Sequence, residues 1–282
     1  MRQGNVRCLT PAGFHRMAYV EWGDQDNPRV LVCAHGLTRC SRDFDVLAQA
    51  LAADYRVVCP DVVGRGESGW LKNPMFYAVP TYVADMASLI ARINAEEVHW
   101  VGTSMGGLIG MTLAAMPDTP ISRLVLNDVG PVVTAASLAR IGTYVGKAPR
   151  FPSLEAAEQY VRITSASFGP HSDAQWRFLT EHVVRQEADG QWRMHYDPAI
   201  AVPFMTGLDG KDIELWGLYD AIRCPTLVVR GGQSDLLTDE TAAAMAQRGP
   251  KARCVDFPGV GHAPTLMQED QIGMVREFLL EW

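Results

Sequence analysis

The stretch Val98-His99-Trp100-Val101-Gly102-Thr103-Ser104-Met105-Gly106 joins two kinds of local structure. Val98 to Val101 is a short apolar run of the kind found in strands covered on both faces. From Met105 onward, Met105, Leu108, Ile109, Thr112, Leu113 and Met116 recur at helical spacing until Pro117 ends the pattern. Between them, Gly102 to Gly106 spell G-x-S-x-G. A serine on such a strand-to-helix turn is lifted clear of the backbone, and glycines on either side remove side chains that would collide there. The helix start behind it favours negative charge, and the Met105 amide is placed to donate to an oxyanion.

Further apolar runs flank this unit: Val30 to Cys33, Arg56 to Cys59, Leu124 to Leu126, Thr226 to Val229 and Arg253 to Phe257. Helical patterns lie between them: Phe44, Leu47, Ala48 and Leu51 behind Ser41 as cap, and Val83, Met86, Ala87 and Ile90 behind Thr81. Ile272, Val275, Leu279 and Trp282 close the chain on a last helix. This alternation predicts an α/β fold with a mostly parallel, doubly wound sheet. Arg16 to Trp22 reads as an antiparallel edge strand. The alternation breaks between 131 and 216, where no convincing apolar strand appears and aromatics are frequent, among them Tyr144, Tyr160, Phe168, Trp176 and Tyr196. Residues 131–216 are therefore expected to form a helical lid on a core made of 1–130 and 217–282.

A serine hydroxyl needs a base to accept its proton, and histidine is suited by its pKa of roughly 6.5. Among seven histidines, His262 lies in Pro258-Gly259-Val260-Gly261-His262-Ala263-Pro264, just past the last strand, at the sheet edge where ligands bind in such folds. His99 falls in a strand, His171, His182 and His195 in the insertion, and His15 near the start. A carboxylate must then fix the imidazole tautomer. Asp235, in Gly231-Gly232-Gln233-Ser234-Asp235-Leu236 after the Thr226 to Val229 strand, is the expected acid. Asp128, in Leu126-Asn127-Asp128-Val129-Gly130, ends a strand on the same edge and is the alternative. A second oxyanion donor is expected from His35-Gly36-Leu37-Thr38, through the Leu37 amide, with His35 bracing the loop. Arg39, Arg65 and Trp70 lie in loops near the expected mouth and are candidates for substrate contact.

These elements together resemble the α/β-hydrolase family, in its lid-bearing branch of esterases, enol-lactonases and carbon–carbon bond hydrolases. The matching segments are HGLT (His35 to Thr38), DVVGRGES (Asp61 to Ser68), GTSMGG (Gly102 to Gly107), RGGQSDLL (Arg230 to Leu237) and GVGHAP (Gly259 to Pro264). The resemblance implies an eight-stranded sheet whose second strand runs antiparallel and a lid inserted after the sixth. It also implies a serine hydrolase acting through an acyl-enzyme on a small, apolar or aromatic carboxylic ester. Carbon–carbon hydrolysis or enol-lactone opening with the same triad is the alternative chemistry, and a non-catalytic ligand receptor the alternative class.

The remaining composition narrows the partners. With 25 basic and 32 acidic residues the net charge is −7, and no basic tract suggests nucleic acid. Six cysteines show no C-x-x-C pair and no zinc-like spacing, so free thiols and no metal are expected. No phosphate-cradling glycine pattern is present, and no cofactor is expected. Without a signal-like N-terminus or a run of roughly 18 apolar residues, the expectation is a cytoplasmic monomer or homodimer acting on a small molecule away from membranes.

Overall fold

The computed structural model describes residues 1–206 and 209–281. Its strands, in chain order, are β1 (Arg2–Thr10), β2 (Gly13–Trp22), β3 (Val30–Ala34), β4 (Arg56–Pro60), β5 (Val98–Thr103), β6 (Ile121–Asn127), β7 (Val132–Val133), β8 (Arg150–Phe151), β9 (Val184–Gln186), β10 (Trp192–Met194), β11 (Ile213–Glu214), β12 (Thr226–Gly231) and β13 (Arg253–Phe257). The helices are α1 (Asp45–Leu51), α2 (Val79–Arg92), α3 (Met105–Ala114), α4 (Ala135–Gly142), α5 (Leu154–Thr164), α6 (Asp173–Glu181), α7 (Ala201–Thr206), α8 (Trp216–Ala221), α9 (Asp239–Met245) and α10 (Glu269–Leu280).

The main sheet has eight strands in the order β1-β2-β4-β3-β5-β6-β12-β13. From β4 to β13 every pairing is parallel, and β2 runs antiparallel to both of its neighbours. All six of the apolar runs singled out in the sequence are strands of this sheet. Successive residues of β3 show why they are continuous and not alternating: Val30, Val32 and Ala34 join one core layer, while Leu31 and Cys33 join the other. The first layer packs under α2 and α3 through Met86, Leu89 and Ile109; the second packs under α1 and α10 through Leu47, Leu51, Val275 and Phe278. Each fully buried aliphatic side chain of this kind contributes roughly 1.5–3 kcal/mol relative to exposure.

Several expectations need correction. The Arg16 to Trp22 segment is a strand, but not the edge, because β1 pairs outside it in register from Arg2↔Glu21 to Thr10↔Gly13. Polar residues alternate with buried ones in β1, as befits a strand with a solvated face. Ser41 opens a 3₁₀ turn instead of capping α1, and α2 begins at Val79, so Thr81 lies within its first turn. Trp282, expected to end the last apolar face, lies outside the described residues.

The segment between β6 and β12 is not purely helical. It carries α4 to α8 and a three-stranded antiparallel sheet in the order β8-β10-β9, while β7 pairs with β11 where the chain leaves and re-enters the core. These strands are two or three residues long, too short for an apolar pattern to reveal them. Phe151, Val161, Trp176, Leu179 and Val184 form a separate small core that also takes in Cys40 and Met267. Among the described residues no helix is long and apolar enough to cross a membrane.

Candidate active site

Ser104 stands between β5 and α3 with φ 52° and ψ −115°, a left-handed backbone that costs a non-glycine residue roughly 1–3 kcal/mol. Its surroundings hold it there. A Cβ on Gly102 would lie 2.3 Å from the Gly106 carbonyl oxygen, and one on Gly106 would lie 1.9 Å from the Ala34 carbonyl oxygen. Both glycines therefore let α3 descend onto β3 and β5. The fully buried Trp100 donates from Nε1 to the Gly106 carbonyl at 3.0 Å, and the Ser104 amide donates to the Asn127 carbonyl at 3.0 Å.

His262, in the loop after β13, brings Nε2 to 3.0 Å from Ser104 Oγ. Its Nδ1 lies 2.7 Å from Asp128 Oδ2. Asp128 is fully buried; its carboxylate also accepts from the Gly231 amide at 2.8 Å and from Ser234 Oγ at 2.6 Å. Three donors around this buried carboxylate, the Gly231 amide, Ser234 Oγ and His262 Nδ1, fix one of its oxygens against the ring. Asn127 ties the two loops together, donating from Nδ2 to Thr103 Oγ1 at 2.9 Å and to the Pro264 carbonyl at 2.8 Å.

The expectation that Asp235 faces His262 is thus corrected: the carboxylate on the ring is the alternative, Asp128. Strand order supplies the reason. β6 lies directly beside β5, with Asn127 paired to Thr103, so the next residue reaches the serine turn; Asp128 then turns its side chain inward at φ 54°. The β12 loop lies one strand farther away and contributes Ser234 to the carboxylate instead. Asp235 points outward, half exposed, and forms a two-pronged ion pair with Arg140 of α4, including Nη2 to Oδ1 at 2.9 Å.

The loop after β3 passes beside the serine: a Cβ on Gly36 would lie 3.8 Å from Ser104 Cβ. Leu37 lines the same cleft as Ser104 and His262, and Met105 opens α3, where a first-turn amide has no intrahelical acceptor. His35 braces this loop as expected. It is fully buried, with Nδ1 donating to the Gly36 carbonyl at 2.7 Å and Nε2 accepting from the Val62 amide at 2.9 Å. Burial lowers its pKa to about 3, so the ring stays neutral.

Arg65, expected near the mouth, is instead fully buried beneath the loop. Its guanidinium donates to the Leu37 carbonyl at 2.8 Å, the Val63 carbonyl at 2.8 Å and Tyr82 Oη at 3.0 Å, and approaches Met105 Sδ at 3.6 Å. It therefore touches both residues expected to supply oxyanion donors, a role that no sequence pattern signals. Arg39 does line the cleft, but it is held by Asp43 through bonds of 2.7 and 2.6 Å and by the Leu179 carbonyl at 3.3 Å. Trp70 does not line that cleft; it is exposed and packs under Arg193 and Arg185. Tyr144, Tyr160, Phe168 and Tyr196 of the insertion face the cleft, whereas Trp176 belongs to the insertion's own core.

Away from the cleft, Cys8, His15 and Asp85 bring one potential ligand atom each within 4.8 Å of one another. His15 Nε2 bonds Asp85 Oδ2 at 2.8 Å, and burial together with Asp85 pushes the Cys8 thiol up to about 12. The other histidines, His99, His171, His182 and His195, stand against local partners, as His99 does with Tyr55 Oη at 2.8 Å.

The chain matches other proteins over nearly its whole length. It is 53% identical over 284 residues to the 3-hydroxybutyrate-oligomer hydrolase of Cupriavidus necator, covering 98% of this chain and 97% of that one. It is similar to an alpha/beta hydrolase of known structure from Novosphingobium aromaticivorans, with 38% identity, a TM-score of 0.87 and 98% of each chain covered. A Rickettsia typhi protein solved by X-ray crystallography superposes with a TM-score of 0.92 at 33% identity over 99% of each chain. Residues 29–266 match the family model of the alpha/beta hydrolase fold. The chain belongs to the alpha/beta hydrolase fold family and is a hydrolase enzyme of that family.

Proposed function

We propose that the protein is a serine hydrolase that cleaves short aliphatic hydroxyacyl esters, of the 3-hydroxybutyrate oligomer type, through an acyl-enzyme. The observation that carries this reading is the continuous contact from Ser104 Oγ to His262 Nε2 at 3.0 Å and from Nδ1 to the buried Asp128 at 2.7 Å. The substrate class follows from the 53% identical Cupriavidus necator relative, which narrows the broader expectation of an apolar or aromatic ester.

In this mechanism Ser104 Oγ attacks the ester carbonyl while His262 Nε2 takes its proton, and Asp128 stabilises the imidazolium. The Leu37 and Met105 amides receive the developing oxyanion; Arg65 positions both residues. The tetrahedral intermediate collapses as the His262 imidazolium protonates the departing alkoxide oxygen, releasing the next hydroxyacid unit as an alcohol. Water, deprotonated by the same ring, then attacks the acyl-enzyme and frees Ser104 and a hydroxyacid. The insertion 131–216 acts as the lid, and its tyrosines and Phe168 give the cleft an apolar wall.

The test is chromatographic release of monomer from a 3-hydroxybutyrate trimer by wild type and by Ser104→Ala. Wild type releases monomer, and the substitution slows release by on the order of 10⁴-fold or more. Cleavage of p-nitrophenyl esters with the trimer untouched refutes the substrate class, and full activity of Ser104→Ala refutes the nucleophile.

A further inference from the structure

Resting on the hydroxyacyl-ester reading above, the geometry points to a carboxylate-binding subsite at the cleft mouth: Arg140, holding Asp235 as a stand-in anion, receives the terminal carboxylate of the oligomer.

Arg140 comes from α4, whose apolar face, Leu138 and Ile141, is buried, and it lines the cleft that contains Ser104 and His262. The arginine presents a two-pronged face, and both prongs are engaged by the carboxylate of Asp235. Planar two-point recognition is the property that suits arginine, more than lysine, to a carboxylate. The pair is open to water, with side-chain exposures of 39% and 50%. An ion pair this open to water is weakly held, so a dissolved carboxylate can displace Asp235 at small cost.

The other guanidinium on the cleft wall does not offer this exchange. Arg39 is 11% exposed and already bound to Asp43 and the Leu179 carbonyl. Among the described residues the ion pair of Arg140 is with Asp235. Cleaving an oligomer of a hydroxyacid at an internal ester leaves an alcohol fragment that ends in a carboxylate, and the apolar walls around Tyr144 and Tyr160 suit its hydrocarbon units. Asp235 then serves as an internal competitor that keeps Arg140 oriented when the cleft is empty and disfavours weak anions.

The test compares two matched substrates, the linear dimer of 3-hydroxybutyrate as the free acid and its methyl ester, by the ratio of their kcat/KM values. In Arg140→Gln the acid-to-ester ratio falls about ten-fold or more, through the KM of the acid; Arg140→Lys, a point charge without the fork, falls part of the way. In Asp235→Asn the ratio stays the same or rises, because the competitor is gone. A ratio unmoved by Arg140→Gln overturns the subsite while leaving the hydrolase reading intact. A fall in Asp235→Asn as large as in Arg140→Gln also overturns it, since the pair would then be a structural clasp between α4 and the β12 loop. Wild type that cleaves neither compound overturns both readings.

Discussion

Replacing His35 by glutamine removes one proton-binding ring from beneath the active-site loop. In the folded protein this ring is fully buried, and burial lowers its pKa from 6.5 to about 3. In the unfolded chain it titrates near 6.5. Between these values the unfolded chain binds a proton that the folded chain does not, so the stability contribution is fully present above 6.5 and is lost as pH falls toward 3. From about pH 7 to about pH 5, linkage gives a loss of about 2 kcal/mol from this ring alone. Protonation would also turn Nε2 from acceptor to donor against the Val62 amide, which is why the folded state resists it. Urea unfolding followed by tryptophan fluorescence at the two pH values measures the effect. His99, lowered to about 4 by burial, is present in both proteins and cancels. The wild-type loss should exceed that of His35→Gln by about 2 kcal/mol, whatever the variant's stability at neutral pH. Equal losses in the two proteins would refute the reasoning.

Gly106→Ala, whose Cβ would meet the Ala34 carbonyl oxygen at 1.9 Å, should destabilise the protein by about 3 kcal/mol or prevent folding. Gly217→Ala, in α8 with nothing within 4 Å, should gain up to about 1 kcal/mol, and urea unfolding compares them. Arg65→Lys keeps the charge but loses the fork that spans the Leu37 carbonyl and Tyr82 Oη. Its kcat should fall on the order of ten-fold or more with KM little changed, and steady-state kinetics beside a melting curve separates this from simple unfolding.

The core of the fold was legible because parallel strands buried on both faces leave continuous apolar runs, as Val30 to Ala34 and Leu227 to Val229 do. The serine turn was legible because glycines on either side of Ser104 answer a steric demand visible in the sequence itself. The choice between Asp128 and Asp235 was not. Both end loops at the same sheet edge, and only the order of strands across the sheet decides which reaches His262. Arg65 was likewise hidden, since a loop arginine in sequence gives no sign that the chain will fold over it. The short strands of the insertion, stabilised by pairing with distant segments, leave no periodicity to read.

The most direct measurement is the rate at which a neutral fluorophosphonate labels Ser104 in Asp128→Asn and in Asp235→Asn. With Asp128 holding His262 Nδ1 at 2.7 Å, Asp128→Asn should slow labelling by on the order of 10³-fold or more, whereas Asp235→Asn should stay within about three-fold of wild type. Labelling that survives in Asp128→Asn and collapses in Asp235→Asn would contradict the arrangement of serine, histidine and aspartate on which the proposed chemistry depends.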